Sequence, residues 1–571
     1  MLFHEYLKNE IFEIVKKLLD KNNLESDFLK NNTFNVELSN KIDFGDLSSN
    51  VALVFSKFFR TSPLQLAEFI SSELKQNKYV LKVEVIKPGF VNIFFTNSFW
   101  QNQLSQFIKL DGTYNYKLKT KSICIEFVSA NPTGLMHIGH ARGAVLGDTI
   151  SSVLEEVGHN IIREYYINDA GEQIKKLYKT IVFHVENILE SSKKKLSDDL
   201  YPGEYLKNIA QKIFKKFAIK DSNELKSFEQ KIIDIILNDI KKDLVDLKII
   251  HDNFVSEKKI SSIDNINKLK NKLLKSKLAY FGFQEKPKNI SSEDWEQKEQ
   301  LLFCSKKFGD DSDRALMKPS GEMTYFMSDL LYHSNKIKRK FEILINIWGV
   351  DHFGYVKRLK NALSELIHDD YKLEIKLTSL VNLIKKGEKL KMSKRKGNYI
   401  TMREVTKEVG VDALRFMMIS RNADKTIDFD FDSLKIKNKD NPVFYVQYAY
   451  ARCMSILETS KKKIKEIEKD AYKLDYLVLH EEKMLIKYIC NFFNVIKNSS
   501  LYYEPHRITN YLYDLSKIFH NYWGLGNIDK EKKIITENDE LTKSRLVLIR
   551  VVSMTLNKGL SLLKISSPKS M

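Results

Sequence analysis

The chain has 571 residues and a mass of 66.7 kDa, so at roughly 150 residues per domain we expect three or four domains rather than one small binding module. Hydrophobic residues make up 43% and charged residues 29%, ordinary globular proportions that exclude a disordered or fibrous chain. The net charge of +19 suits a polyanionic partner such as nucleic acid, although a lysine-rich composition can also arise without any binding role.

The sequence contains no membrane, secretory or disulfide signal. No apolar run approaches the roughly 18 residues of a membrane-spanning helix, and the first twenty residues mix Glu and Lys at helical spacing, unlike a targeting segment. The cysteines lie far apart, so we expect neither a zinc knuckle nor a disulfide framework; they are Cys124, Cys304, Cys453 and Cys490. These features predict a cytoplasmic protein without zinc and without a membrane contact.

Residues 1–115 have the pattern of a mixed α/β domain. An amphipathic helix opens the segment, and a second helix is expected from Pro63. Residues 82–95 alternate between apolar and polar around Pro88-Gly89, which is typical of a β-hairpin. This domain is expected to precede a larger one.

Residues 116–437 have the pattern of a doubly wound α/β domain. An apolar strand at Ser122–Val128, a helix at Ile138–Val157 and a second strand at Ile161–Ile167 form a βαβ unit, whose strands are parallel. In such a sheet the ligand crevice lies at the carboxyl ends of the strands. We therefore predict an α/β fold with a site at that edge.

The rest of the chain is simpler in pattern. Residues 171–300 are lysine-rich and largely helical, with no recognisable site chemistry, which predicts an insertion within the sheet. A strand is expected at Glu342–Trp348 and a surface loop at Lys385–Asn398. Residues 438–571 are helical in pattern and rich in aromatic residues, so we predict a C-terminal all-α bundle.

The first motif that carries chemistry is the string ANPTGLMHIGH, which ends at His140. His137 and His140 share one face at the start of a helix, where free N–H groups and the helix dipole attract phosphate oxygens. Gly139 lacks a side chain, so a base or ribose can approach the backbone closely. Two histidines that only cap the helix are the alternative, but the full string between strand and helix favours a nucleotide site.

The second motif is the basic stretch KMSKRKG at residues 391–397. Phosphoryl chemistry needs cations, because negative charge develops on the departing pyrophosphate. Ammonium groups on a loop that closes, such as those of Lys391 and Lys394, can neutralise that charge. A basic stretch of this kind is otherwise solvated surface or a contact with nucleic acid, so its value depends on the first motif.

Together the two motifs resemble the signatures of class I aminoacyl-tRNA synthetases. Longer strings are similar to arginyl-tRNA synthetases in particular, at 126–148, 164–174, 308–333, 348–358, 411–421, 440–452 and 504–515. The resemblance covers nearly the whole chain. It implies an ATP-dependent arginine–tRNA ligase with a Rossmann-like catalytic domain, an N-terminal appended domain and a C-terminal anticodon-binding bundle.

The resemblance also implies roles for the motif residues. His137 and His140 are expected to orient ATP, and Gly139 to admit the adenosine. Lys391, Met392 and Lys394 are expected at the triphosphate, where the two lysines stabilise the reacting phosphates. Mg²⁺ is expected to accompany ATP.

Arginine binding is expected to depend on carboxylates, which pair with the guanidinium fork through directional, charge-assisted hydrogen bonds. Glu126 and Asp329 match the carboxylates of the family, and Tyr325 lies one helical turn before Asp329. By resemblance, Asn131 holds the α-amino acid portion of the substrate. His352 falls where the family shapes the amino-acid and adenosine pocket, although a polar Asp-His pair also commonly ends a strand.

The resemblance assigns tRNA contacts to both terminal domains. Phe90 and Asn92 match residues that touch the tRNA elbow, and Tyr445 and Tyr448 match residues that stack on anticodon bases. Aromatic residues at these spacings are otherwise core residues. Family members commonly end in Pro-Glu-Arg-Met, whereas this chain ends in Pro-Lys-Ser-Met571, which keeps the terminal methionine and loses the arginine.

The sequence leaves two alternatives to an arginine–tRNA ligase. A class I synthetase for another amino acid would leave the carboxylates Glu126 and Asp329 without a cationic substrate. A catalytically silent tRNA-binding paralogue would be expected to lose a phosphate-handling residue, yet both motifs are intact. We expect a monomer, because one chain already holds catalytic, elbow and anticodon modules.

Overall fold

The computed structural model describes residues 3–22, 33–39, 44–109, 117–192, 194–221, 224–225, 228–284, 298–390, 400–460 and 473–571. Among its helices, none in the described part of the chain combines the length and apolarity that crossing a bilayer requires.

The N-terminal domain packs helices on an antiparallel sheet. Its helices are α1 (Phe3–Lys21), α2 (Val51–Phe55), α3 (Pro63–Leu74) and α4 (Asn97–Lys109), and its strands are β1 (Val36–Leu38), β2 (Leu47–Ser49), β3 (Val80–Ile86) and β4 (Phe90–Phe95). The sheet order is β1-β2-β4-β3, and β3 pairs with β4 through the predicted hairpin turn. Ser62 caps α3, whose first residue is Pro63, which confirms the predicted helix start.

The second domain is built on a parallel sheet of order β12-β11-β5-β6-β7. The predicted βαβ unit is confirmed as β5 (Ser122–Glu126), α5 (Ile138–Glu156) and β6 (Asn160–Ile167), and the predicted later strand as β11 (Ile343–Gly349). The remaining strands are β7 (Asn253–Ser256) and β12 (Lys372–Thr378).

Helices cover both faces of this sheet, as a doubly wound fold requires. On one face Ile123 and Ile125 pack in the core that includes α5. On the other face Cys124 packs in a second core with α11 (Tyr325–Lys338) and α12 (Phe353–Leu366). Alternate residues of one strand therefore belong to two cores, and the predicted fold class is confirmed.

The segment 171–300 differs from the predicted insertion because it also contains strands. It is helical over α6 (Glu172–Leu189), α7 (Glu204–Phe217) and α8 (Glu229–Asp246), but β7 then joins the edge of the main sheet beside β6. A strand of four part-exposed residues has too little apolar alternation to be found by pattern. The short helices α9 (Glu257–Ile260) and α10 (Ile263–Lys275) follow it.

Two small sheets complete the α/β region. The first is antiparallel, with β8 (Ala279–Phe283), β9 (Glu299–Phe303) and β10 (Arg314–Ala315). The second contains β13 (Val381–Lys385), β14 (Glu388–Lys389) and β15 (Ile427–Asp430), with α13 (Met402–Val409) and α14 (Val411–Met418) between β14 and β15. The predicted C-terminal bundle consists of α15 (Pro442–Thr459), α16 (His480–Tyr502), α17 (His506–Ile528) and α18 (Asp539–Leu562).

Two buried arginines fix α5 against later parts of the chain. Arg415 donates to the carboxylate of Asp148 on α5 at 2.7 Å, to the Leu247 carbonyl at 2.7 Å and to the Leu563 carbonyl, beyond α18, at 2.8 Å. Arg142, also on α5, donates to the carbonyls of Ser379 and Asn422. The helix that begins with the two motif histidines is therefore held directly by two carbonyls of later segments and, through Arg415, is linked to two more.

Candidate active site

A cleft of about 1630 Å³ opens at the carboxyl edge of the parallel sheet. Four of the five strands supply a residue to it at or just beyond their ends: Glu126 from β5, Asn168 from β6, Glu257 from β7 and Gly349 from β11. The cleft also brings together the predicted site residues His137, His140, Asn131, Tyr325, Asp329 and His352. The location agrees with the rule that ligands bind at this edge of a doubly wound sheet.

The two histidines form the start of α5. The Gly139 N–H donates to Nδ1 of His137 at 3.1 Å, and the His137 N–H donates to Nδ1 of His140 at 3.3 Å. The rings stack with their centroids 3.9 Å apart. Because both Nδ1 atoms accept hydrogen bonds, each neutral ring carries its proton on Nε2. The histidines thus cap the helix and also line the cleft, so the two interpretations of the motif are compatible.

Gly139 leaves space for one of these histidines. A Cβ on residue 139 would come within 2.9 Å of the His137 ring, so glycine leaves that ring its place. Lys391, Met392 and Lys394 lie outside the described residues. The chain just after them is anchored beside the first motif, since the Ile138 N–H donates to the Ile400 carbonyl and the Met402 N–H donates to the Met136 carbonyl.

Asp329 lies on α11 in a poorly hydrated part of the cleft. The pKa of its carboxyl group is raised to about 7, chiefly by burial and also by the nearby carboxylate of Glu126, against the opposing effect of a 2.6 Å hydrogen bond from the Tyr355 hydroxyl. A carboxylate in this state is stabilised by any cation that enters the cleft. Tyr325, one turn earlier, is 65% exposed and accepts a hydrogen bond from Gln173 at 3.3 Å.

Glu126 differs from the prediction, because its charge is already compensated. Its carboxylate accepts from the Lys336 ammonium at 2.6 Å and from the Ser129 hydroxyl at 3.0 Å, and both members of the ion pair are buried. Lys336 also donates to Asn346 at 3.0 Å, and Asn346 bonds His333. A guanidinium is therefore not required to neutralise Glu126. The sequence did not reveal this pairing, because the partner lies on another element.

Asn131 and His352 both line the cleft. The Asn131 side chain donates to Gln173 at 2.7 Å and accepts from Asn168 at 2.8 Å, which fixes its orientation. The side chain of His352 is 54% exposed and lies 5.6 Å from the Trp348 ring, measured between centroids. Both side chains can reach a ligand in the cleft.

Sequence reasoning missed several lining residues, of which Glu257 is the clearest. It is 8% exposed, and burial raises the pKa of its carboxyl group. It comes from the segment for which no site chemistry was predicted. Its signal is general: it is a carboxylate directly after a strand, at the sheet edge where ligands bind, but β7 itself had not been recognised. Tyr166, Ser328 and Tyr355 also line the cleft.

The predicted RNA contacts of the N-terminal domain have unequal exposure. Phe90 is 39% exposed at the start of β4. Asn92 is only 3% exposed, and its side chain accepts a 2.7 Å hydrogen bond from Ser48 on the neighbouring strand. This burial does not fit a direct contact of Asn92 with RNA. The resemblance paired Asn92 with Phe90, but the Asn92 side chain bonds to the neighbouring strand and supports the sheet.

In the C-terminal bundle the predicted aromatic residues are half-buried. Tyr448 stacks on Phe444 and on His520, and the Arg452 guanidinium lies 4.4 Å above its ring. Tyr445 packs against Tyr513 and His520. Met571 is 54% exposed. These tyrosines therefore have packing partners as well as partly exposed surface.

Comparisons with known proteins match all three parts of the chain. The family model of the arginyl tRNA synthetase N terminal domain matches residues 5–95, that of the tRNA synthetases class I (R) catalytic domain matches residues 103–438, and that of the DALR anticodon binding domain matches residues 446–571.

Individual relatives are similar over the full length. The arginine–tRNA ligase of Pelagibacter ubique is 39% identical over 580 residues, with 100% of both chains covered, and that of Wolbachia pipientis from Culex pipiens is 40% identical, with 94% of each chain covered. The arginyl-tRNA synthetase structure of Thermus thermophilus superposes with a TM-score of 0.74 at 18% identity and covers 100% of both chains. This last similarity concerns the fold.

Proposed function

Since the chain belongs to the arginyl-tRNA synthetase family and is an arginine–tRNA ligase, we propose that its cleft binds ATP and arginine side by side, with the roles given below. The observation that carries the assignment is the meeting, in one cleft, of the histidine donors at the start of α5 and the carboxyl group of Asp329. The first group suits phosphates and the second suits a guanidinium.

ATP is assigned to the amino end of α5. The side chains of His137 and His140 line this end of the cleft, the positive end of the helix dipole favours the triphosphate, and Gly139 leaves room for the adenosine. Lys391, Met392 and Lys394 follow the family motif at the same phosphates. Mg²⁺ is proposed to accompany ATP, with no zinc. A hard cation takes oxygen ligands, which the phosphates supply, and the described residues contain no group of three His, Cys, Asp or Glu side chains placed around a metal.

The reaction needs no nucleophile from the protein. The carboxylate of arginine attacks the α-phosphorus of ATP in line, and pyrophosphate leaves with the bond to the α-phosphate broken. A hydroxyl of the terminal ribose of tRNA then attacks the carbonyl carbon of the adenylate, and AMP leaves. The enzyme contributes position and electrostatic stabilisation, chiefly through the histidine N–H groups and the lysines of the second motif.

Arginine is assigned to the cleft wall formed by α11. Asp329 pairs with the guanidinium, Tyr325 lies beside it, and Glu257 supplies a second buried carboxyl group. Glu126 is assigned to the α-amino end of the substrate together with Asn131, because Lys336 already compensates its charge. His352 lies between the amino-acid and adenosine positions. A neutral amino acid would leave the carboxyl group of Asp329 without a cation, which disfavours other substrates.

The terminal domains are assigned to tRNA(Arg). We propose that residues 1–115 contact the elbow with Phe90, that residues 116–437 catalyse both steps, and that residues 438–571 contact the anticodon with Tyr445, Tyr448 and Met571. The net charge of +19 supports binding of a polyanion. We further propose that the protein acts as a cytoplasmic monomer.

Aminoacylation with each of the twenty amino acids and purified tRNA(Arg) tests this function. We expect charging with arginine and not with lysine, which carries the same charge without the planar fork. Pyrophosphate exchange, measured with and without tRNA, also tests the dependence of arginine activation on tRNA that the family resemblance implies. Tight tRNA binding without charging by any amino acid would instead identify a silent paralogue.

A further inference from the structure

A second cavity, of about 550 Å³, lies next to the active site on the far side of α12. We call it the α12 pocket. Its walls are the first turns of α12, the 3-10 turn Ser305–Phe308 that follows β9, and the edge strand β12, which contributes Ile375 and Leu377. Its volume falls within the roughly 300–1,000 Å³ of typical ligand sites. None of the roles proposed above uses it.

One helix separates the pocket from the cleft. His352 and Tyr355, at the start of α12, line the cleft. Phe353, Val356, Lys357 and Lys360 line the pocket, and their spacing of three, four and seven residues places them on one stripe of the helix. The pocket therefore lies one helix away from the part of the cleft that His352 and Tyr355 line.

The floor of the pocket is apolar and contains an accessible ring. Phe353 is 72% exposed, which is high for a phenylalanine, and Phe308 is partly exposed across from it. Gly354 follows Phe353, and a Cβ there would meet no atom within 4 Å, so the approach to the ring is open. Ile375 and Leu377 add aliphatic surface. A flat, uncharged group such as a nucleobase can stack here.

The rim of the pocket carries cations. Lys357 and Lys360 line it, and the exposed residues Lys306 and Lys307 flank the 3-10 turn. The one carboxylate among the lining residues, Asp310, is bound by the Arg358 guanidinium at 2.5 and 3.1 Å, and this pairing lowers its pKa. An apolar floor beneath a rim of ammonium groups fits a nucleobase attached to a phosphate.

We propose that the α12 pocket binds a nucleotide of the unpaired 3′ end of tRNA, adjacent to the terminal adenosine. The base lies against Phe353, and its phosphate lies near Lys357 and Lys360. This inference rests on the proposed function, because the 3′ end must reach the adenylate in the neighbouring cleft. The pocket then fixes the path by which the terminal ribose arrives.

Binding of two RNAs to Phe353→Ala tests the proposal. The RNAs are intact tRNA(Arg) and the same tRNA without its three terminal nucleotides, and the dissociation constant is measured for each. A lost base stack is expected to weaken intact tRNA about tenfold. The truncated tRNA, which cannot reach the pocket, is expected to bind the variant and the wild type equally. Phe353→Trp is expected to restore binding of intact tRNA.

Further variants separate the possible outcomes. Phe281→Ala removes a ring that is 50% exposed on β8, outside the pocket, and is expected to change neither dissociation constant. The double variant Lys357→Met with Lys360→Met is expected to weaken intact tRNA alone and to reduce the salt dependence of its binding. This variant also serves if Phe353→Ala folds poorly.

The proposal is overturned if Phe353→Ala and the lysine double variant bind intact tRNA as the wild type does. It is also overturned if they lose affinity for both RNAs alike, because the contact would then lie elsewhere on the tRNA. Charging of tRNA by the wild type is measured in parallel. Failure of charging would reject the proposed function, whereas normal charging with unaltered binding would reject the pocket alone.

Discussion

Replacing Asp329 by asparagine perturbs the carboxyl group assigned to the substrate guanidinium, whose pKa is raised to about 7 by burial. In the wild type, arginine binds well only when this group is ionised, so its affinity should fall with pH below 7. Between pH 8 and pH 5.5 the ionised fraction falls about 30-fold. We expect the dissociation constant of arginine to rise by about that factor over this range, as measured by calorimetry on the tRNA complex.

The same group affects the stability of the empty enzyme with the opposite sign. A carboxyl group whose pKa is higher in the folded than in the unfolded state binds a proton on folding at pH values between the two. Stability is therefore lost as the pH rises through the pKa of the folded state. Between pH 5.5 and pH 8 this costs roughly 2 kcal/mol. Asp329→Asn should remove this cost and flatten both profiles. It should also weaken arginine binding at pH 8 by more than 100-fold, since breaking a buried pair from one side costs about 3–5 kcal/mol.

Two neighbouring variants should move the midpoint in opposite directions. Tyr355→Phe removes the hydrogen bond that favours the ionised form of Asp329, so the midpoint should rise. Glu257→Gln removes a nearby negative charge, so the midpoint should fall. If wild-type affinity is the same at pH 5.5 and pH 8, or if Asp329→Asn binds arginine normally, then Asp329 does not read the side chain of the substrate.

Two further variants test the phosphate and anticodon assignments. Lys394→Ala should lower turnover in steady-state kinetics roughly 100-fold, while ATP and tRNA binding change little. Substitution of Lys389, an exposed lysine five residues earlier, by alanine should leave turnover close to wild type. Normal turnover in Lys394→Ala would contradict a role at the phosphates. Tyr448→Ala should raise the tRNA concentration needed for half-maximal charging, because a lost base stack costs roughly 1–3 kcal/mol. The defect should shrink at saturating tRNA. If the variant is folded by circular dichroism and its charging depends on tRNA concentration as in the wild type, then Tyr448 contributes packing alone.

Local patterns were sufficient to predict the frame of the active site. The apolar strand at 122–126, the turn and the helix starting at Ile138 required only short-range periodicity, and the parallel geometry then placed the crevice at the strand ends. The residues on that frame were found as motifs. The pocket wall contributed by α11 was predicted from the family resemblance, and its residues Tyr325 and Asp329 are one turn apart on a single helix.

Tertiary pairing explains what the sequence did not reveal. The charge of Glu126 is compensated by Lys336, which lies 210 residues away in the chain and meets it only in the folded core. Glu257 enters the cleft because the four-residue strand β7 joins the sheet, and so short a strand has no usable periodicity. The burial of Asn92 depends on the neighbouring strand that carries Ser48, which spacing alone does not specify.

The hydrogen bond from Arg415 to the carbonyl of Leu563 limits how far the enzyme can be divided into modules. Arg415 is fully buried, and its guanidinium depends on a carbonyl that the last part of the chain supplies. A fragment that ends near residue 437 would leave this donor unsatisfied, at a cost of about 1–3 kcal/mol before any loss of packing. We therefore expect the catalytic region to be inseparable from its anticodon-binding bundle. An exchange of bundles between relatives should succeed only where the last helix of the incoming bundle places a backbone carbonyl within hydrogen-bond distance of the Arg415 guanidinium.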